Sequence, residues 1–219
     1  HSDSQTFISS CISRSSFYLI FLTLGIAQSG DATEIGAMNF ILSSGSFESE
    51  MLKGGDYTAR GAFIASSIFF GMLLGGILTG AYGDRTGRRP MLLFGLCVNT
   101  VSGMLSAVAW NVAFMAFCRF CAGLGIGAVI SSIITLATES SPPSRRGFWI
   151  TFVSAFWAIG SIYISLMAMF IFGLHGMSWR VFCVASAMPC LVDLLMVWLV
   201  VPPEKGEVPG ALRHDQPHH

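Results

Sequence analysis

Six apolar runs, at about 17–42, 61–82, 91–109, 112–138, 148–172 and 181–201, follow one another with only short polar breaks, and this pattern leaves the chain few folds. A run of about 20 apolar residues matches the hydrocarbon core of a bilayer. There every backbone N–H and C=O must be satisfied within its own segment, so the runs read as helices. The predicted fold class is all-α: a polytopic membrane protein built as a six-transmembrane-helix bundle. Composition agrees, because 53% of the residues are hydrophobic and only 11% are charged, too apolar for an ordinary soluble domain. Net charge is zero, which argues against nucleic acid as a partner and makes the depth of each charge the informative quantity.

The division follows from the runs. Residues 1–16 are polar and serine-rich and lack a cleavage-site pattern, so they read as a cytoplasmic tail; 17–203 form the six-helix domain, and 204–219 a polar tail. Arg14, Arg85, Arg88, Arg89, Arg145, Arg146, Lys205 and Arg213 fall in segments on one side, against Lys53, Arg60 and Arg180 on the other. Basic residues favour the cytoplasm, so both termini are expected there and the 43–60 loop outside. The first run is long and carries Gly25, Gly30 and Gly36, which predicts tilt or local unwinding. Gly71, Gly75, Gly76 and Gly80 form small-xxx-small patterns suited to close packing, within the chain or across a dimer. Pro189 is expected to kink the sixth run.

Four ionisable residues lie within the apolar runs: Asp31, Glu34, Arg119 and Asp193. An unpaired cation at that depth costs about 2.5–3.5 kcal/mol even on the lenient insertion scale, so Arg119 needs a partner. Asp31 and Glu34 are three apart, share one face of an intact helix, and can share a proton. The alternative is that Glu34 lies near the headgroups or that one carboxylate simply pairs with Arg119. Trp157 and Tyr163 can stack on an aromatic or sugar ring, or serve as packing and interface anchors. The cysteines within the runs read as small packing residues, and neither Cys118-x-x-Cys121 nor His214, His218 and His219 reads as a metal site. No metal or cofactor is expected, and no catalytic fingerprint points to an enzyme.

The polar break Gly80-Ala81-Tyr82-Gly83-Asp84-Arg85-Thr86-Gly87-Arg88-Arg89-Pro90 reads as a tight hairpin between two helices. Its G-x-x-x-D-R-x-G-R-R pattern resembles the loop signature of the major facilitator superfamily, matched at Gly80, Asp84, Arg85, Gly87, Arg88 and Arg89. From spacing alone the loop is either a topogenic basic turn or a gate; the resemblance implies a gating latch. Arg119 with Gly123, Gly125 and Gly127 resembles the fourth-helix motif of that superfamily. Glu139-x-x-Pro142-x-x-x-Arg146-Gly147 resembles its sugar-porter loop, and implies that Glu139 and Arg146 join the latch. The strings Asp31-Ala32-x-Glu34 and Phe156-Trp157-Ala158-Ile159-Gly160 are similar to the synaptic-vesicle-two-related (SVOP-like) group.

The resemblance covers roughly 17–203 and implies the N-terminal half of a twelve-helix transporter, with the substrate site between two halves. It implies proton-coupled transport of a small organic solute, an organic acid or sugar, by alternating access in a plasma or vesicle membrane. The implied partners are the bilayer, the solute, and a C-terminal six-helix half or a homodimer partner. The alternative is a non-transporting, truncated membrane protein that binds a partner or ligand. Asp31, Arg119 and Asp193 are expected to need cover from the second half, so that the bundle alone would expose a polar face.

Overall fold

The computed structural model describes residues 2–52, 56–174 and 176–201, and in them the chain is a bundle of long helices. These are α1 (Ser2–Leu42), α2 (Tyr57–Thr86), α3 (Arg88–Ser106), α4 (Val112–Ser140), α5 (Arg146–Ala168) and α6 (Trp179–Val200). The tail 204–219 lies outside the described residues, as do the side chains of 2–16, Asp84 and Arg85.

Among the described residues, four helical segments are long and apolar enough to cross a membrane: Tyr57–Gly83, Val112–Ser140, Pro143–Gly173 and Trp179–Val200, with mean hydropathy of 2.0 to 2.1. By this measure four of the six expected spans stand. The two that fall short, α1 and α3, are the ones whose sequences turn carboxyls, an amide and hydroxyls inward: Asp31, Thr33 and Glu34 on α1, and Asn99, Thr100, Ser102 and Ser106 on α3 are all buried.

The turn chemistry is local and legible. The expected 80–90 hairpin narrows to one residue: α2 runs on to Thr86, Gly87 breaks it at φ 94°, and α3 starts at Arg88. That φ belongs to the region that disfavours a side chain, and Pro90 sits in the first turn of α3, where a missing N–H costs nothing. Asn111 caps α4 by accepting from the Phe114 N–H at 2.7 Å, and Asp56 caps α2 through Thr58 and Ala59. Pro142 and Pro143 follow the end of α4, and a 3-10 turn (Pro143–Arg145) leads into α5.

One expectation about the first helix is corrected. It is not locally unwound, because α1 is one continuous helix, Ser2–Leu42. Its glycines admit neighbours instead of breaking it. A Cβ on Gly25 would press on the Phe156 ring, one on Gly30 would overlap the Asp193 carboxyl, and one on Gly36 would touch Ile164. The first part of the expected 43–60 loop is helical: Gly45–Phe47 and a π turn, Glu48–Leu52, bury Phe47, Met51 and Leu52.

Packing runs chiefly between α2 and α4, α3 and α4, α1 and α5, α1 and α6, and α3 and α6. Two of the small-xxx-small glycines act within the chain: a Cβ on Gly71 or Gly75 would overlap the backbone of α4, and one on Gly123 or Gly127 that of α2. Along the bundle there are two apolar clusters. One, at the Trp179 end, includes Met38, Ile41, Phe47, Met115, Trp179 and Phe182; the other, at the Gly87 end, includes Phe21, Leu24, Leu92, Leu96, Val129 and Val197. Between them, on α1, α3, α4 and α6, lies one layer of buried polar groups.

Candidate functional site

Each member of this layer lies inside a helix, at least seven residues from either end. Glu34 of α1 meets Arg119 of α4, with Nη1 donating to Oε2 at 2.9 Å and both side chains wholly buried. Gly103 of α3 makes room for it, since a Cβ there would come within 2.6 Å of Glu34 Oε1. Ser186 of α6 donates to that same Oε1 at 3.4 Å. The predicted need of Arg119 for a partner is met by the carboxylate.

One helical turn earlier, Asp31 accepts from Asn99 Nδ2 of α3 at 3.1 Å, and the same amide reaches Cys190 Sγ of α6 at 3.6 Å. Cys190 Sγ in turn donates to the Gly30 carbonyl at 3.5 Å. Asp193, one turn beyond Cys190, presses its Oδ2 against Gly30, beside Asp31. Asp31 and Glu34 thus lie on one face as expected, but each has its own partner.

Among the described residues, Asp31 Oδ2, Asn99 Oδ1 and both Asp193 oxygens accept no hydrogen bond, and Arg119 Nε and Nη2 donate none. Asp31, Glu34, Arg119 and Asp193 are each no more than 1% exposed. This overturns the expectation that a second half is needed to shelter them. The six helices enclose the layer themselves, because α1 and α3 turn their polar faces toward α4 and α6.

The other predicted residues lie elsewhere. Tyr163, half-buried on α5, donates to the Ala185 carbonyl at 3.3 Å, and Trp157 is half-buried on the same helix. Neither bonds to the polar layer among the described residues. At the Gly87 end, a Cβ on Gly83 would press on the Arg88 guanidinium, while Arg89 Nη2 donates to the Trp198 carbonyl at 3.4 Å, tying α3 to α6. Nothing crowds Gly80. Glu139 and Arg146 are exposed, and among the described residues no ion pair joins them. The side chains of Asp84 and Arg85 lie outside the described residues.

Sequence reasoning missed Asn99, Ser186 and Cys190 as part of this layer, although an amide in the middle of the 91–109 run was a signal. It also passed over Glu50. At the Trp179 end, Glu50 Oε2 accepts from Trp179 Nε1 at 3.1 Å and from Arg180 Nη2 at 3.2 Å. Arg180 stacks 4.6 Å from the Trp179 ring and donates to the Ala107 carbonyl, fastening the 43–52 segment to α3 and α6. A groove of about 650 Å³ between α2 and α4 is lined by phenylalanines, alanines, Ser66 and Ser67, with no charged side chain.

The family model of the Major Facilitator Superfamily matches residues 6–217. The chain belongs to the major facilitator superfamily. It is a membrane protein of that family of transporters, similar in fold to sugar porters. It is 29% identical to human synaptic vesicle glycoprotein 2C over 189 residues, 81% of this chain and 25% of that protein. To rat synaptic vesicle glycoprotein 2A it is 30% identical over 183 residues, 78% of this chain and 24% of that protein. The chain therefore spans about a quarter of the length of these relatives. Among solved structures, it superposes on the proton:xylose symporter XylE bound to 6-bromo-6-deoxy-D-glucose with a TM-score of 0.77 at 19% identity, covering 84% of this chain and 45% of that one. The inward open conformation of XylE from E. coli gives 0.75 at 19% identity, over 85% and 48%. At that identity the likeness is one of fold.

Proposed function

We propose that this chain is one six-helix bundle of a transporter that moves a small organic solute, a sugar or organic acid, by proton-coupled alternating access. The observation that carries the reading is the charge count of the buried layer. Three carboxyls meet one guanidinium, Glu34 already engages it, and Asp31 is left with an amide and no cation. A bare charge at membrane depth is costly, so what neutralises such a group is a proton that the transport cycle can load and release. In this reading Asp31 exchanges the proton, and the Glu34–Arg119 pair braces α1 against α4. The two unused Arg119 donors suit a hydroxylated or anionic solute once the layer opens.

The remaining assignments follow the same reading. Helices α1 and α3 cross the membrane with the other four, and both termini are cytoplasmic. Trp157 and Tyr163 contact solute when the bundle opens. Gly80, Asp84, Arg85, Gly87, Arg88, Arg89, Glu139 and Arg146 form the cytoplasmic gate, and a second six-helix bundle or a second copy completes the site. The XylE structures, of a proton:xylose symporter by name, support the sugar class and the proton.

The test is uptake in proteoliposomes by the full-length protein that carries this chain, screened with sugars and organic acids under an inward proton gradient. Asp31→Asn is expected to abolish accumulation against a gradient while leaving exchange partly intact. Accumulation by that variant with unchanged pH dependence would remove Asp31 from the mechanism. A protein that binds solute but never moves it would favour the non-transporting alternative.

A further inference from the structure

The second carboxyl without a cation, Asp193, has no part in that scheme, and its surroundings give it one. It comes from α6, yet its Oδ2 lies over Gly30 of α1, where any Cβ would overlap it. Gly30 precedes Asp31, and Asn99 Nδ2 links Asp31 Oδ1 to Cys190 Sγ, one turn from Asp193. Asp193 and Glu34 both lie within electrostatic reach of Asp31. Four buried oxygens here lack partners among the described residues: Asp31 Oδ2, Asn99 Oδ1, Asp193 Oδ1 and Asp193 Oδ2. As they stand, all four are acceptors. A buried cluster of acceptors is satisfied by a positively charged ligand or by O–H donors, and the smallest ligand that creates an O–H donor is a proton on one carboxyl.

We propose that Asp31 and Asp193 form a single proton-binding dyad, oriented by Asn99, in which ionisation of one carboxyl requires the other to keep its proton. The proposal rests on the reading of Asp31 as the proton-exchanging group and extends it to a second residue on another helix. Two like charges in one buried place repel strongly, so such a pair titrates in two separated steps, as one unit. The groups facing the dyad are few. On α1 there is Glu34, already paired with Arg119 of α4; on α3, Asn99; on α6, the Cys190 thiol. Helix α5 meets this stretch of α1 through Gly160, which packs on the Ser29 carbonyl and brings no titratable group. The dyad therefore releases one proton per cycle and retains the other, and because it spans α1 and α6, a change in its load acts on the contact between those helices.

The experiment is infrared difference spectroscopy of the chain in lipid, following the C=O stretch of neutral carboxyls as pH is raised, and it needs no transport. Asp31→Asn and Asp193→Asn should each remove one carboxyl's share of the band. Asp31→Asn should also lower the midpoint of the Asp193 carboxyl by about one pH unit or more, because the charge that made it keep its proton is gone, and Asp193→Asn should leave one step in place of two. Gly30→Ala, which displaces the Asp193 carboxyl without changing any ionisable group, should reproduce the shift; it is the variant to read if Asp193→Asn does not insert. Unmoved midpoints would overturn the dyad, as would a band that follows Na⁺ concentration at fixed pH instead of pH. A coupled pair in a protein that moves no solute would sink the transport reading alone. Uptake that depends on Asp31, with an Asp193 midpoint indifferent to the loss of Asp31, would sink the dyad alone.

Discussion

Glu34 and Arg119 are worth more together than either is alone. Both are fully buried, and Nη1–Oε2 at 2.9 Å is the contact that neutralises them. Removing one partner leaves the other as a bare charge between two apolar clusters, whereas removing both leaves only packing to repair. Arg119→Leu is expected to destabilise the bundle by about 3–5 kcal/mol, and Arg119→Leu with Glu34→Leu to recover a large part of that. Thermal unfolding of the purified variants checks it; a double variant no better than the single would mean that the pair contributes through shape and not charge. The depth of these residues was legible, because position along an apolar run gives depth directly. Their partners were not. Which side of a helix meets which neighbour depends on rotation about the helix axis, and for α1 this was decided by Gly30 and Gly103, whose missing side chains make room for Asp193 and Glu34. The amide of Asn99 is invisible to a search for charges, though it holds Asp31 in place.

At the scale of elements, the runs, their order and most of their ends could be read from the chain, since proline, glycine and capping residues act locally. What could not be read was how far a helix continues past its apolar stretch: α2 carries on through the charged residues to Thr86 because a backbone hydrogen-bond ladder needs no apolar side chain. The glycines separate into those that bear a helix contact and those that do not. Gly123 faces α2 so closely that a Cβ would lie 2.9 Å from the Ile68 carbonyl carbon, while nothing lies near Gly80 or Gly147. Gly123→Ala is therefore expected to cost about 1–3 kcal/mol by forcing α2 and α4 apart, and Gly147→Ala to cost little. Equal melting temperatures for the two variants would show that the α2–α4 contact yields without cost. The 43–52 segment, fastened by Glu50 to Trp179 and Arg180, gives the orientation its test. A single cysteine at Ser49, which is exposed, placed in a cysteine-free background, should react with an impermeant reagent added from outside to intact cells. Reaction only after permeabilisation would invert the bundle.

At the scale of the whole molecule, the polar layer lies inside, and this changes what the 219-residue chain is expected to do by itself. Had Asp31, Arg119 and Asp193 faced outward, a lone bundle would have had to aggregate or pair through them. As folded, their charge is enclosed, and the large side chains left on the outside include Phe69, Leu73 and Ile77 on α2, Ile159 and Ile162 on α5, and Leu195 and Leu199 on α6, all at least half exposed. Such a surface is compatible with lipid and detergent, where apolar side chains gain little by meeting one another. The chain should therefore purify as a stable monomer in detergent. It should still not transport, because alternating access requires one bundle to rock against another around a site held between them, and XylE is roughly twice its aligned length. Light scattering in detergent gives the oligomeric state, and proteoliposomes under an inward proton gradient give the activity. A well-behaved monomer without saturable uptake is the expected pair of results. Saturable uptake by that monomer would show that six helices suffice to carry solute across, and would end the two-bundle reading. Uptake by a dimer alone would make a second copy of this chain the missing half, whereas aggregation in every detergent would mean that a face of the bundle needs cover that neither lipid nor detergent supplies.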